Sequence, residues 1–163
     1  MSAGALFYLR GDYNIKGIKK VPSYVLFYPT SLVVCVLEPK AIKAQTKRIQ
    51  AELKAQKVGA LKRPKLVQQG LEDFGQTFAD MAHESVLSLD NRNKSIAYDA
   101  IREVVYQRRP KDVGGGEFNT TTPGRFVVKS SGDKTSVYHD YEKGAALEQP
   151  LQQIFADKLK IKG

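Results

Sequence analysis

The stretch VLFYPTSLVVCVL, residues 25–37, decides the fold. It holds two runs rich in Val, Leu, Phe and Tyr, Tyr24–Tyr28 and Ser31–Leu37, separated by Pro29-Thr30. Proline presets the backbone for a turn, and two strand-sized runs two residues apart read as a β-hairpin. The second run is apolar on both faces, which places it in the interior of a sheet. Cys35 sits within it, with no flanking base or cation to activate a thiolate, and reads as a small buried hydrophobe.

Working outward, Leu6–Arg10 is a short apolar strand, with Gly11-Asp12 and Gly17 as breaks after it. Downstream the texture changes. No Gly or Pro occurs from Lys40 to Val58, where Ala, Lys and Gln dominate, and this predicts a helix. At 100° per residue Ile42, Ile49 and Leu53 form one ridge, and Lys40, Lys43, Lys47 and Lys54 a second stripe. Gly59 and Pro64 end it. A second helix, Lys65–His83, puts Val67, Leu71, Phe74, Phe78 and Met81 on one face, although Gly70 and Gly75 weaken it. Residues 40–84 thus read as a helical hairpin inserted within a single domain, 1–163.

Strands are expected again at Ser85–Leu89, Ser95–Tyr98 and Ile101–Gln107, then a loop over Pro110–Glu117 with its three glycines. Arg125–Lys129 and Thr135–His139 flank a turn at Gly132-Asp133. A helix begins near Pro150, which suits a first helical turn, with Leu151, Ile154, Phe155 and Leu159 as its apolar face. The expected class is α+β: a curved antiparallel sheet or partly open β-barrel closed by a C-terminal amphipathic helix.

That order resembles the pleckstrin-homology and GRAM-like superfold. The likeness is carried by VLFYPTSLVVCVL (25–37), KSIAYDAIREVVYQRR (94–109), GRFVVKSSGDKTSVYHD (124–140) and PLQQIFADKL (150–159). It implies a barrel plugged at one end by the last helix. It also implies an anion-contacting first inter-strand loop, matched here by Lys16, Lys19 and Lys20. The basic pair that phosphoinositide-binding members carry on the second strand has no counterpart in Tyr24–Tyr28.

Composition narrows the function classes. A hydrophobic fraction of 42% with 26% charged residues is that of a globular chain. No apolar run approaches the roughly 18 residues of a spanning helix. MSAGALFYLRG lacks the basic-then-apolar order of a secretory signal, and a single cysteine agrees with a reducing compartment, so the expected location is cytoplasmic. The net charge of +9 is unevenly spread. Residues 1–65 carry 13 Lys+Arg against 3 Asp+Glu, whereas residues 66–163 carry 13 against 14. Such asymmetry points to an anionic partner.

Catalytic signatures are missing. Gly114-Gly115-Gly116 lacks a strand-then-helix setting, and Gly132-Asp133-Lys134-Thr135 lacks the upstream glycine of a phosphate loop. His83 and His139 each precede an acid, but at no metal-ligand spacing, and read as surface histidines. No catalytic residue, metal or cofactor is expected. Tyr106, Tyr138 and Tyr141 interleave with charge as base-stacking rings do, yet tyrosines on half-buried strands are usually core. The expected function is a non-enzymatic binding module that engages a protein partner or an anionic, acidic-lipid surface. The candidate anion-binding residues are Lys16, Lys19, Lys20, Lys40, Lys43, Lys47 and Lys54. Nucleic-acid binding by the same face is the first rival. A small enzyme of unfamiliar type is the second, and a deep pocket lined by His139 and a carboxylate would favour it.

Overall fold

A computed structural model describes residues 3–110 and 122–163. The expected glycine loop at 110–117 falls almost wholly outside them. The chain runs β1 (Phe7–Ile15), β2 (Lys19–Phe27), β3 (Ser31–Val36), α1 (Pro39–Ala55), α2 (Arg63–Ala79) and α3 (His83–Leu87). It continues through β4 (Lys94–Ala97), a single 3-10 turn, β5 (Ile101–Gln107), β6 (Gly124–Ser130), β7 (Asp133–His139), α4 (Glu148–Phe155) and β8 (Leu159–Lys162).

The class is α+β, and the strands form one eight-stranded sheet in the order β4-β3-β2-β1-β7-β6-β5-β8. The sheet is mixed rather than antiparallel throughout, because β8 lies parallel to β5, Val104 beside Leu159. Its two outer strands, β4 and β8, are not bonded to each other, so the sheet does not close into a barrel. It is nonetheless strongly rolled. Three strand spacings separate β2 from β6, about 14 Å in a flat sheet. Yet the rings of Phe27 and Phe126 meet edge to face at 5.7 Å.

Rolling makes a concave face that α4 fills. Leu147, Leu151 and Phe155 pack there against Leu9, Val25, Phe27, Val104 and Phe126. The expected helix face is correct for Leu151, Ile154 and Phe155; Leu159 packs on the same core but not from the helix. Ala156 adopts φ 48°, which ends the helix, and Leu159 opens β8 instead. The convex face of β1–β3 is covered by α2 and α3, with Tyr24, Leu26, Val33 and Cys35 beneath Ala79, Val86 and the rings of Phe74 and Phe78. The hairpin at residues 25–37 therefore lies between two apolar layers, as its two-faced sequence requires. Cys35 is buried, and burial pushes its thiol up to about 11.

Two further expectations fail for identifiable reasons. Ser85–Leu89, read as a strand, falls mostly within the short helix α3, where Val86 reaches the convex core. Gly11-Asp12 does not break the first strand, since β1 runs through it. A Cβ at Gly11 would stand 2.4 Å from the Tyr138 carbonyl oxygen, so this glycine permits a close strand approach. Gly75 acts similarly on α2. A Cβ there would meet the Tyr8 and Tyr24 rings at 2.5 and 2.7 Å, so the glycine that weakens the helix locally seats it on the sheet.

Candidate anion-binding surface

The β1–β2 connection is tight. Lys16 and Gly17 both take positive φ, 52° and 74°, and the Ile18 N–H donates to the Ile15 carbonyl at 3.1 Å. Two positive φ values inside a hydrogen-bonded turn mark the hairpin turn whose twist matches that of the strands. It lifts Lys16 and Ile18 into solvent; Lys19 and Lys20, expected in the loop, are instead the exposed first residues of β2. On α1 the helical period separates the two stripes as expected. Lys40, Lys43, Lys47 and Lys54 are exposed, while Ile42, Ile49 and Leu53 are half-buried. Ile49 packs over Gly70 of α2, where a Cβ would stand 2.8 Å from its Cδ1.

Few carboxylates are present to neutralise these lysines, and the glutamates among them are engaged elsewhere. Glu38 accepts from Arg92 at 2.6 Å, Glu52 pairs with Arg48 at 3.3 Å, and Asp12 sits in a cleft that it shares with Arg10 and, among the seven lysines, with Lys20. Among the described residues none of the seven candidate lysines forms a salt bridge; Lys20 instead lies 4.1 Å over the Tyr138 ring. Uncompensated positive charge at the surface attracts anions over a Debye length.

Two hollows adjoin this surface. A groove of about 670 Å³ runs between α1 and α2, lined by Thr46, Gln50, Lys54, Arg63, Lys65 and Gln68, with no carboxylate in its walls. Thr46, Gln50 and Lys54 are successive i, i+4 positions, so one edge of α1 supplies that wall. Lys65 and Gln68 also line a second cleft, of about 680 Å³, between α2 and the sheet where β1 and β7 part. Of the seven lysines, Lys54 borders the groove and Lys20 the cleft; the other five stand on open surface.

The cleft is of mixed charge and largely occupied by its own hydrogen bonds. The Arg10 guanidinium donates to Gln68 at 3.0 Å, and its backbone N–H donates to the Tyr141 hydroxyl at 3.0 Å. Tyr141 in turn donates to Glu72 of α2. Burial raises the Glu72 pKa, opposed by that hydrogen bond and by Arg10. Burial also raises Asp12, with Arg10 opposing.

His139 and three carboxylates, Asp12, Glu72 and Asp140, do line this cleft, as an enzyme reading requires. The histidine, however, is 2% exposed rather than at the surface, and its ring lies parallel to Tyr106 at 5.0 Å. Its Nδ1 accepts the Tyr141 N–H at 2.9 Å. Its Nε2 is buried under Gly124, without a well-formed hydrogen bond among the described residues. Neither nitrogen is offered to the cleft as a base. Burial holds the His139 pKa down at about 4, with the Gln107 and Arg125 carbonyls offsetting part of the shift. His83 is taken up by Glu84 and Ser95, at 2.8 and 2.9 Å. No group of three or more His, Cys, Asp or Glu side chains suited to a metal occurs among the described residues.

The lysine stripe was legible from helical spacing, whereas Arg63 and Lys65 join it only where α2 packs beside α1. Arg10 and the Tyr141–Glu72 bond of the cleft were not legible. They come together only through sheet curvature across dozens of residues, which leaves no local signal. Among the described residues no helix is long and apolar enough to cross a membrane. No protein-family model matches the chain, and neither the curated proteins nor the solved structures yield a match.

Proposed function

We propose that this protein is a non-enzymatic module that binds an anionic surface through α1, the β1–β2 turn and the groove between α1 and α2. The observation that carries the reading is the uncompensated charge. Seven exposed lysines lack ion-pair partners among the described residues, and the adjoining groove is lined by Lys54, Arg63 and Lys65 without an acid. The inward-turned nitrogens of His139 argue against acid–base work in the cleft. The likeness to the pleckstrin-homology superfold belongs to the same proposal, supported by the rolled sheet and by α4 in its concavity.

The test is to change Lys40, Lys43, Lys47 and Lys54 to Glu together, which moves the formal net charge from +9 to +1. Exposed substitutions usually cost no more than about 0.5 kcal/mol each, so folding is retained by circular dichroism. Retention on heparin should collapse at low salt, where surface charge is least screened. Equal retention by the two proteins would refute the reading.

A further inference from the structure

Five large aliphatic side chains are exposed among the described residues, and two of them exceed the rest. Ile18 is 90% exposed and Leu61 is 99% exposed, against 62% for Leu6, 52% for Leu89 and 39% for Leu66. Single exposed leucines are ordinary on a protein surface. Ile18 and Leu61, however, stand at two loop tips, each set among cations: Ile18 among Lys16, Lys19 and Lys20, and Leu61 among Lys57, Lys62 and Arg63.

The packing of α2 on β1 brings the two tips to one end of the molecule. The Ala5 N–H donates to the Ala79 carbonyl at 2.6 Å, Gly75 lies on the Tyr8 ring, and Arg10 reaches Gln68. From Ala79 back to Gln68 a helix advances about 17 Å, and from Ala5 to Arg10 a strand advances about 17 Å. The two elements therefore run side by side in opposite directions. Extending both places Leu61 near the level of Tyr13, with the β1–β2 turn just beyond. Lys20 and Lys65, one from each side, line the same cleft, which agrees independently.

We infer that this end is a membrane-docking edge, at which Ile18 and Leu61 enter the acyl boundary of an acidic bilayer while the surrounding lysines and Arg63 meet its headgroups. The inference rests on the anion-binding reading and names its partner. Charge complementarity favours an anionic lipid surface. A protruding aliphatic side chain gains from an apolar phase and nothing from a phosphodiester backbone. Among the described residues neither tip presents an aromatic ring on which a base could stack.

The experiment uses the full chain and its Ile18→Ser, Leu61→Ser double variant. Two probes are compared: heparin, and phosphatidylcholine vesicles with about one-third phosphatidylserine. The expected result is a loss of tenfold or more in vesicle partitioning, with heparin retention unchanged. Unchanged vesicle partitioning overturns the inference, and so does a wild type that is held by heparin or DNA but does not sediment with vesicles; both leave the anion-binding reading standing. A wild type held by neither heparin nor vesicles sinks both. Should the double variant fail to fold, Leu61→Cys carrying a polarity-sensitive dye decides, because Cys35 is fully buried and unreactive. A blue shift on acidic vesicles supports insertion, and no shift overturns it.

Discussion

The helices α1 and α2 are each 17 residues long and lie side by side, yet they do opposite things. On α2, Val67, Leu71, Gly75 and Ala79 are buried, and Phe74 and Phe78 join the aromatic cluster around Tyr24. On α1 no residue is buried, and its outward edge carries the four lysines. An amphipathic helix with a shallow apolar ridge is attached rather than embedded. Its sequence is then free to serve a surface, and α2 is the foundation on which that surface stands.

The sharpest way to break the contrast is to remove the rings of α2. Changing Phe74 and Phe78 together to Ala should lower stability by about 3 kcal/mol or more, read from the denaturation midpoint. An unchanged midpoint would mean that α2 too is only attached. By the same comparison, Ile42→Ala with Leu53→Ala on α1 should cost less, since these side chains are smaller and only Ile42 of the two packs on the convex core.

Next in size is an acid effect on the side of α2 that faces the cleft. His139 is buried neutral, with its pKa depressed from 6.5 to about 4. The unfolded chain then takes up the proton more readily than the folded one. The contribution of this residue is fully present above about pH 6.5 and is lost as pH falls toward 4, by about 3 kcal/mol. Glu72 and Asp12, raised by burial, act in the opposite sense. The readout is therefore the difference between wild type and His139→Gln across that range, which should shrink as pH falls. A constant difference would contradict the burial account.

Smaller still is Gly75→Ala. An exposed helix gains up to about 1 kcal/mol from this change, but here the new methyl meets two tyrosine rings, and a loss of about 1–3 kcal/mol is expected. Stabilisation would show that α2 can shift off the tyrosine rings without loss. The smallest effect belongs to Cys35, which should resist alkylation at neutral pH until the chain unfolds. Rapid labelling of the native protein would place the convex core open to solvent.

Much of this was written locally. The hairpin of residues 25–37 announces a strand pair buried on both faces, and Ile101–Gln107 forms a strand over the span its β-branched residues predict. The lysine and isoleucine stripes of α1 need only the helical period. What sequence could not disclose depends on distant partners. Residues 159–162 are too few to show a period, and they become a strand because Ala156 turns the chain onto the free edge of β5. Gly11 looks like a break until Tyr138 is seen against it. Nor does any spacing reveal that Tyr141 bridges β1 and α2.

The most direct test of the claim that α1 presents its charge while α2 supports it is a map of backbone amide shifts during heparin titration. The account predicts the largest shifts at residues 40–54, 16–20 and 61–66, fading as salt is added, with β5, β6 and α4 unmoved. Shifts centred on β5, β8 or α4, or none at low salt, would contradict it.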